Sequence, residues 1–212
     1  MTIVITGASR GIGAGLCAAY KARGANVIGT TRKGVHALEV TDPASQSVFA
    51  ASLENRPVEL LVCNAGVYLD KGHSLDGGYD AQLWSESFAV NVTGVFLTVQ
   101  ALLPNLRLAE APRIAIISSQ MASHTRAPGG SYIYRASKAA ALSLGRNLAS
   151  DLRGEGIAVG IYHPGWVVTD MGGLGADITV DDAVGGLVAR FDALDLERSG
   201  VFETWDGRPH PY

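Results

Sequence analysis

The sequence predicts a single α/β domain over residues 1–212, built as a doubly wound parallel sheet with helices on both faces. Two observations predict this fold. Short apolar runs alternate with helical patterns along the whole chain, which is the order that builds a parallel sheet. Runs such as Leu60-Leu61-Val62-Cys63 are apolar at every position, as strands buried on both faces are. No repeat or linker divides the chain.

The predicted elements follow one another in a regular order. Strands are predicted at Thr2–Ile5, Asn26–Thr31, His36–Val40, Val58–Cys63, Ile114–Ile117, Ile157–Tyr162 and, at an edge, Val201–Phe202. Helices are predicted at Ala14–Arg23, Pro43–Asn55, Ala81–Ala109, Ser131–Leu152 and Thr179–Leu194. Asp42 is a typical N-cap followed by proline, and Thr179 begins a capping box with Asp182. Pro104 predicts a kink near the end of the third helix.

The turn between the first strand and the first helix is rich in glycine. Gly7 allows a sharp exit from the strand, while Gly11 and Gly13 let the backbone approach a pyrophosphate closely. The free N–H groups and the positive dipole of the helix start also favour phosphate. These features predict a dinucleotide site of Rossmann type, formed by Gly7, Ser9, Arg10, Gly11, Ile12 and Gly13. A plain strand–helix turn is the alternative, because turns use glycine for steric reasons alone.

The end of the second strand bears on the choice of dinucleotide. An acid about 20 residues after the glycines holds the ribose 2′-hydroxyl of NAD, but no acid lies between Asn26 and Val35. Arg32 is present there instead, and Arg10 lies in the glycine loop. Two guanidiniums would bind a 2′-phosphate, so we predict NADP(H) as the cofactor. The alternative is that both arginines are solvated surface charges.

Composition excludes several classes of protein. The net charge of −3 and the lack of a basic block argue against nucleic acid as a partner. Cys17 and Cys63 lie in apolar runs and are expected to be buried thiols without a disulfide. No uninterrupted apolar run reaches membrane-spanning length, and a strand begins within two residues of Met1. We expect a cytoplasmic protein that binds neither membrane nor metal.

Four polar residues are predicted to lie at or beside the ligand crevice of the sheet: Asn91, Ser119, Tyr134 and Lys138. Tyr134 is the only one of seven tyrosines with a lysine four residues on, and this spacing places both side chains on one helix face. Hydride reduction of a carbonyl needs a proton for the nascent alkoxide, which a phenol can donate. A nearby ammonium lowers the pKa of that phenol, and a serine hydroxyl can hold the substrate oxygen. Each residue alone also has an ordinary explanation, as a helix face, a strand-end cap or a helix bend.

Together these stretches resemble the short-chain dehydrogenase/reductase family over nearly the whole chain. The matching segments are Thr6–Gly13, Asn64–Gly66, Asn91–Val92, Ile117–Ser119, Tyr134–Lys138 and Pro164–Met171. The resemblance implies that Tyr134 is the catalytic acid/base and that Lys138 binds the nicotinamide ribose and lowers the pKa of Tyr134. It also implies that Ser119 orients the substrate carbonyl and that Asn91 holds a proton-relay water. The further cofactor contacts that it implies are Glu39, Val40, Asn64, Ala65, Gly66, Tyr134, Lys138, Pro164, Gly165, Val167 and Thr169.

Some features depart from the family pattern. Ser119 and Tyr134 are fifteen residues apart where the family usually has thirteen, so Ser118 is a rival for the substrate carbonyl. Glu39 stands where the family usually has aspartate near the adenine, and Cys63 where it often has a second asparagine. The segment after Met171 is short, which leaves little of the usual substrate lid. This feature and residues 202–212 resemble the C-factor/sniffer-like carbonyl reductase branch.

The sequence therefore predicts an NADPH-dependent carbonyl reductase that interconverts a small ketone or aldehyde and an alcohol. The alternative is a dinucleotide-binding signalling or sensor protein of C-factor type with little turnover. The expected pocket walls are Val67, Tyr68, Met121, His124, Trp166 and Met171. Family members pair the helices that carry Asn91 and Tyr134 with a second copy, so the resemblance implies a homo-oligomer, either a dimer or a tetramer.

Overall fold

The computed structural model describes residues 1–125 and 127–212, and it contains one parallel sheet of six strands. The strands are β1 (Thr2–Ile5), β2 (Asn26–Gly29), β3 (Leu60–Cys63), β4 (Arg113–Ile117), β5 (Ala158–His163) and β6 (Phe202–Thr204). Their order across the sheet is β2-β1-β3-β4-β5-β6, and every neighbouring pair is parallel. This order reverses direction beside β1, which confirms the doubly wound fold.

In the described parts of the chain, six α-helices connect the strands. They are α1 (Gly11–Ala22), α2 (Pro43–Ser52), α3 (Ala81–Phe88), α4 (Gly94–Leu106), α5 (Tyr132–Leu152) and α6 (Val180–Asp192). A π-helical turn, Ala89–Thr93, joins α3 to α4 without a break. The N-caps predicted at Asp42 and Thr179 are confirmed, since Asp42 accepts the Ala44 N–H at 2.9 Å and Thr179 forms a reciprocal capping box with Asp182.

The central strands bury both faces because their side chains alternate between two cores. Val4, Leu61 and Ile114 lie side by side in register and face one core, which α2, α4 and α5 complete. Ile5 and Val62 face the opposite core, which α1 and α6 complete. A period of two residues thus explains why these runs are apolar throughout. Because these strands are all parallel, the carboxyl ends of β1, β3, β4 and β5 lie at one edge of the sheet, where the site lies.

The predicted strand at His36–Val40 is wrong. All five residues are described, and they make only one isolated bridge to the sheet, between Thr31 and Ala37. The segment is held by side-chain burial instead: Leu38 and Val40 are buried, and Val40 packs closely against Gly94 of α4. The alternation of apolar residues in this segment therefore reflects packing against α4 and not pairing with a neighbouring strand.

The long third helix has its irregular point at a different place from the predicted one. Pro104 lies inside α4, close to its end at Leu106, whereas the helix departs from α geometry at Ala89–Thr93. The other predicted elements are confirmed with shifted ends: α1 begins at Gly11, on the glycine loop itself, and β2 ends at Gly29. Cys17 and Cys63 are free and buried, as predicted, and burial raises the pKa of Cys63 to about 12.

Within the described residues, one continuous helical segment, Ala81–Leu106, is long and apolar enough to cross a membrane, with a mean hydropathy of 1.5. Its apolar residues have another explanation. Val95, Val99 and Leu102 are buried in the core that α4 shares with the sheet. Burial in the core therefore accounts for the hydropathy of this part of the segment.

Candidate active site

A cleft of about 580 Å³ opens along the carboxyl edge of the sheet. It extends from the glycine loop to α5. The predicted site residues that line it are Gly7, Ser9, Arg10, Gly11, Ile12, Gly13, Arg32, Glu39, Val40, Asn64, Ala65, Gly66, Tyr134, Lys138, Pro164 and Thr169. Lining residues outside that predicted set are Thr30, Thr31, Leu38, Val90, Ile117, Val168, Asp170 and Val180. Most of these adjoin predicted site residues at strand ends, which is the signal that could have found them.

The glycine loop owes its shape to close contacts between β1, α1 and the loop after β3. A Cβ on Gly13 would lie 2.3 Å from the Gly7 oxygen, and Gly7 has a φ of +68°. The Asn64 amide Nδ2 donates to the carbonyls of Thr6 at 2.9 Å and Gly7 at 3.2 Å. Glycine is therefore required here for packing, and Asn64 fixes the loop from behind.

The start of α1 fits a pyrophosphate. Arg10, its N-cap residue, makes no side-chain cap bond, and the first turn carries no acid. The positive end of this helix thus meets the cleft without a neutralising group. In the same wall the Thr30 hydroxyl is buried without a hydrogen-bond partner among the described residues. Because buried polar atoms are normally paired, this hydroxyl also fits a polar ligand such as a ribose or phosphate.

The two arginines predicted to meet a 2′-phosphate are placed differently. Arg32 is exposed on the cleft wall and makes no ion pair within the described part of the chain. Arg10 forms an exposed ion pair with Asp170. The Glu39 carboxylate accepts from the Thr41 hydroxyl at 3.0 Å, so its charge is turned toward α2.

Tyr134 and Ser119 meet at the end of the cleft, where β4 and α5 come together. The Ser119 side chain hydrogen-bonds to Tyr134 and also accepts the Met121 N–H at 3.1 Å. Ser118 is turned away, because its hydroxyl donates to the Lys138 carbonyl at 3.0 Å. Of the two rival serines, the structure therefore brings Ser119 to the tyrosine.

Lys138 is buried beside Tyr134. Its Nζ donates to the Ile117 carbonyl at 3.0 Å and lies 5.7 Å from the centroid of the Tyr134 ring. Burial lowers the pKa of Lys138 to about 8. A pKa this close to neutrality leaves the amine protonated in most molecules at pH 7.

The pKa of Tyr134 is raised to about 12, chiefly by burial. The Ser119 hydrogen bond opposes this shift, while Tyr68 and Asp70 add to it. Lys138 is not among the groups that shift this pKa, so the lowering that the resemblance implies is not found, and the loss of hydration dominates. Tyr134 is therefore a neutral phenol at pH 7.

Asn91 lies behind the cleft wall and not in it. Its Oδ1 accepts the Val67 N–H at 2.9 Å, and its Nδ2 donates to the Val67 carbonyl at 2.9 Å and to the Ser137 hydroxyl at 3.0 Å. The amide is fully used in pinning the loop after β3. Ser119, Gly165 and Val167 also lie outside the residues that line the cleft.

The expected substrate walls are only partly brought together. Val67 and Met171 line the cleft, and the Tyr68 ring stacks on the Tyr134 ring at 4.2 Å. His124 is exposed, and its backbone N–H donates to the Tyr212 carbonyl instead. Trp166 is half-exposed on the rim, and Met121 follows Ser119 in a short 3₁₀ turn. The loop predicted at residues 120–130 includes residue 126, which lies outside the described residues.

A dinucleotide cleft that ends at a buried tyrosine, serine and lysine defines an oxidoreductase of the doubly wound α/β class. The family model for short chain dehydrogenase matches residues 35–176, and the chain belongs to this family. It is 37% identical over 165 residues to C-signal of Myxococcus xanthus, covering 77% of this chain and 98% of that protein.

Solved structures agree with this assignment. The NADPH-bound carbonyl reductase from chicken fatty liver superposes with a TM-score of 0.91 at 32% identity, covering 100% of this chain and 98% of that one. Carbonyl reductase Sniffer of Drosophila melanogaster superposes with a TM-score of 0.92 at 25% identity, covering 100% of this chain and 99% of that one. The expected family and fold are thus confirmed.

Proposed function

We propose that this oxidoreductase reduces the carbonyl of a small ketone or aldehyde with NADPH, and that Tyr134 supplies the proton. The observation that carries the proposal is buried Tyr134 at the end of the cleft, with the Lys138 Nζ 5.7 Å from the centroid of its ring and Ser119 beside it. A protein that only bound a dinucleotide would need the glycine loop but no proton donor at this place.

The residues at the end of the cleft suit reduction. When bound, a nicotinamide dinucleotide supplies the hydride. Tyr134, whose pKa is raised to about 12, is present as the phenol that can donate a proton. An alkoxide is a much stronger base than a phenolate, so the proton passes from Tyr134 to the new alkoxide oxygen. Ser119 donates its hydroxyl to the same oxygen and holds it in place.

Lys138 stabilises the charge that appears on Tyr134 as the proton leaves. Its amine is close to the ring and is protonated in most molecules at pH 7. The Lys138 amine does not attract the neutral phenol, but it attracts the phenolate that forms as the proton leaves Tyr134. This attraction therefore lowers the barrier to proton transfer more than it strengthens substrate binding. By resemblance to the family, Lys138 also binds the nicotinamide ribose.

The cofactor is a nicotinamide dinucleotide, and we propose NADP(H) over NAD(H). Arg32 and Arg10 lie in the cleft wall at the end of β2 and in the glycine loop, where a 2′-phosphate would be held. Of the two acids in this wall, Asp170 pairs with Arg10 at the surface and Glu39 is turned toward Thr41. The NADPH in the chicken carbonyl reductase structure supports the same choice.

The proposed substrate is a small apolar carbonyl compound. Val67, Val168 and Met171 line the cleft near Tyr134, and Trp166 lies on the rim. A homo-oligomer remains a prediction from the resemblance, and a cytoplasmic location remains a prediction from the composition of the sequence.

The test is oxidation of NADPH, followed by absorbance, with 4-nitrobenzaldehyde, acetophenone and menadione as carbonyl probes. We expect turnover with at least one probe and its loss in Tyr134→Phe, while Tyr132→Phe, two residues away on the same helix, stays active. Turnover that survives in Tyr134→Phe would remove Tyr134 from the acid role.

A second candidate function is dinucleotide-dependent signalling, and the 37% identity to C-signal is the observation that favours it. Tight NADPH binding without turnover of any probe would support this candidate over the reductase.

A further inference from the structure

Asp70 is a fully buried residue in the loop that follows β3. Its Oδ2 accepts the Ile133 N–H at 2.9 Å, and its Oδ1 accepts the Tyr134 N–H at 3.2 Å. Both donors lie in the first turn of α5, more than 60 residues along the chain. Asp70 thus acts as the N-cap of α5 from a distant loop and satisfies two of the N–H groups that a helix start leaves free.

The residue that precedes α5 does not cap it. Ser131 has a φ of +48°, in the left-handed region, and makes no side-chain cap bond. Its hydroxyl instead pairs with the Tyr68 hydroxyl. Since Tyr68 also stacks on Tyr134 at 4.2 Å, the loop that carries Asp70 holds the start of α5 by side chains as well as by the cap.

The same loop is fixed at its other end. The backbone N–H and the backbone carbonyl of Val67 each form a hydrogen bond of 2.9 Å with the side-chain amide of Asn91, which lies in the π-helical turn. The segment 67–70 therefore connects that turn to the start of α5. An unpaired carboxylate at this depth would be strongly unfavourable, and the two N–H groups and the helix dipole offset the loss of its hydration.

We propose that Asp70 is a positioning residue for the reaction: it caps α5 from the 67–70 segment and so fixes the place of the Tyr134 hydroxyl at the end of the cleft. This inference rests on the acid role proposed above for Tyr134. Tyr134 is the third residue of α5, so loss of the cap loosens the turn that carries it. A displacement of about 1 Å in a reacting group can cost roughly 100-fold in rate.

The buried carboxylate also acts on the phenol through its charge. Burial is the main cause of the raised pKa of Tyr134; Ser119 opposes it, and Tyr68 and then Asp70 add to it. Lys138 is the other charged group beside the ring, with its Nζ 5.7 Å from the centroid. Removing the charge of Asp70 is therefore expected to lower the pKa of Tyr134, an effect that a general loss of stability would not produce.

The test compares Asp70→Asn with Asp80→Asn. The first variant keeps the shape of the side chain but turns one acceptor into an NH₂ group that faces an N–H of α5. The second makes the same change at the N-cap of α3, where Asp80 accepts the Gln82 N–H at 2.8 Å outside the cleft.

For Asp70→Asn we expect kcat for reduction of the best carbonyl probe to fall about 10- to 100-fold, with the Kd for NADPH within about twofold of the parent. In the reverse direction, tested with NADP⁺ and 4-nitrobenzyl alcohol or 1-phenylethanol, the pH midpoint of kcat should move to lower pH. Asp80→Asn should keep the parent's kcat and midpoint. A parental kcat in Asp70→Asn overturns the inference, and so does a lower kcat with an unmoved midpoint.

The parent protein provides a measurement that does not depend on any variant. Amide hydrogens in the first turn of a helix normally exchange quickly, whereas the Ile133 and Tyr134 amides should exchange as slowly as that of Leu142 within α5. Fast exchange at both positions overturns the cap even if Asp70→Asn does not fold. Failure of the proposed function looks different: either the parent does not turn over, or Tyr134→Phe stays active. If Tyr134→Phe is inactive and Asp70→Asn matches the parent, this inference fails alone.

Discussion

Arg10 in the glycine loop forms an ion pair with Asp170, which lies 160 residues further along the chain, and both residues line the cleft. Their side chains are 71% and 75% exposed, so the pair contributes little to stability and can exchange partners at small cost. A phosphate is a stronger partner for a guanidinium than a carboxylate is. This pair therefore bears directly on the choice between NADPH and NADH.

Arg32→Asp is expected to weaken NADPH binding about 10- to 100-fold and to leave NADH binding unchanged or tighter, because a charge-assisted contact to the 2′-phosphate is replaced by repulsion. The measurement is the Kd of each dinucleotide by fluorescence titration. Lys33→Asp is the matched control, since it makes the same charge reversal one residue away and outside the residues that line the cleft. Equal affinities of the parent for NADPH and NADH would contradict the proposed preference.

Asp170→Asn is expected to tighten NADPH binding about two- to fivefold, because Arg10 no longer has a competing carboxylate. NADH binding should not change, since NADH lacks the 2′-phosphate. The same titration measures both constants, and Asp177→Asn, an exposed acid outside the cleft wall, serves as the control. Weaker NADPH binding in Asp170→Asn would show that the ion pair helps to form the site.

Tyr134→Phe is expected to lower kcat at least 100-fold with an unchanged Kd for NADPH, because the ring still stacks on Tyr68 and only the transferable proton is lost. The unfolding free energy should fall by about 1 kcal/mol through loss of the Ser119 hydrogen bond. Steady-state kinetics and denaturant unfolding check the two parts. Tyr132 is exposed on the same helix, so Tyr132→Phe should retain the parent's kcat.

Lys138→Met is expected to stabilise the protein at neutral pH while reducing turnover. Burial holds the pKa of Lys138 at about 8 in the folded state against 10.5 ordinarily, so between these values the unfolded chain binds more protons. Stability of the parent therefore rises with pH through this window, and the full penalty for the buried charge is present at pH 7. Lys138→Met also loses the hydrogen bond to the Ile117 carbonyl, so its net gain in the free energy of unfolding at pH 7 is on the order of 1 kcal/mol.

That advantage should fall by about 2 kcal/mol by pH 10, because the folded lysine is neutral above its pKa and the cost of removing its proton on folding shrinks as the pH approaches 10.5. Thermal unfolding without added dinucleotide at pH 7 and pH 10 measures the difference. Lys33→Met, at an exposed position, should show no such dependence. A constant difference between the parent and Lys138→Met across this range would mean that Lys138 is not desolvated.

Local sequence patterns determined most of the secondary structure and the residues at the two ends of the cleft. The glycine loop was predictable because the turn needs glycine within a few residues, and the Tyr134–Lys138 pair because one helical turn separates them. The same local reasoning failed at residues 36–40. There the buried residues Leu38 and Val40 meet a helix that lies far along the chain, and alternation alone does not distinguish a helix surface from a strand neighbour.

What the sequence by itself determined was the order of strands and helices, the dinucleotide loop and a tyrosine with its lysine on one helix face, since each depends on residues close together in the chain. Tertiary structure alone decided that Ser119 and not Ser118 meets Tyr134, that Asn91 is used to pin Val67, and that Asp70 caps α5. These are contacts between residues far apart in sequence. Their partners are set by how β3, β4 and α5 pack together, and no local spacing carries that information.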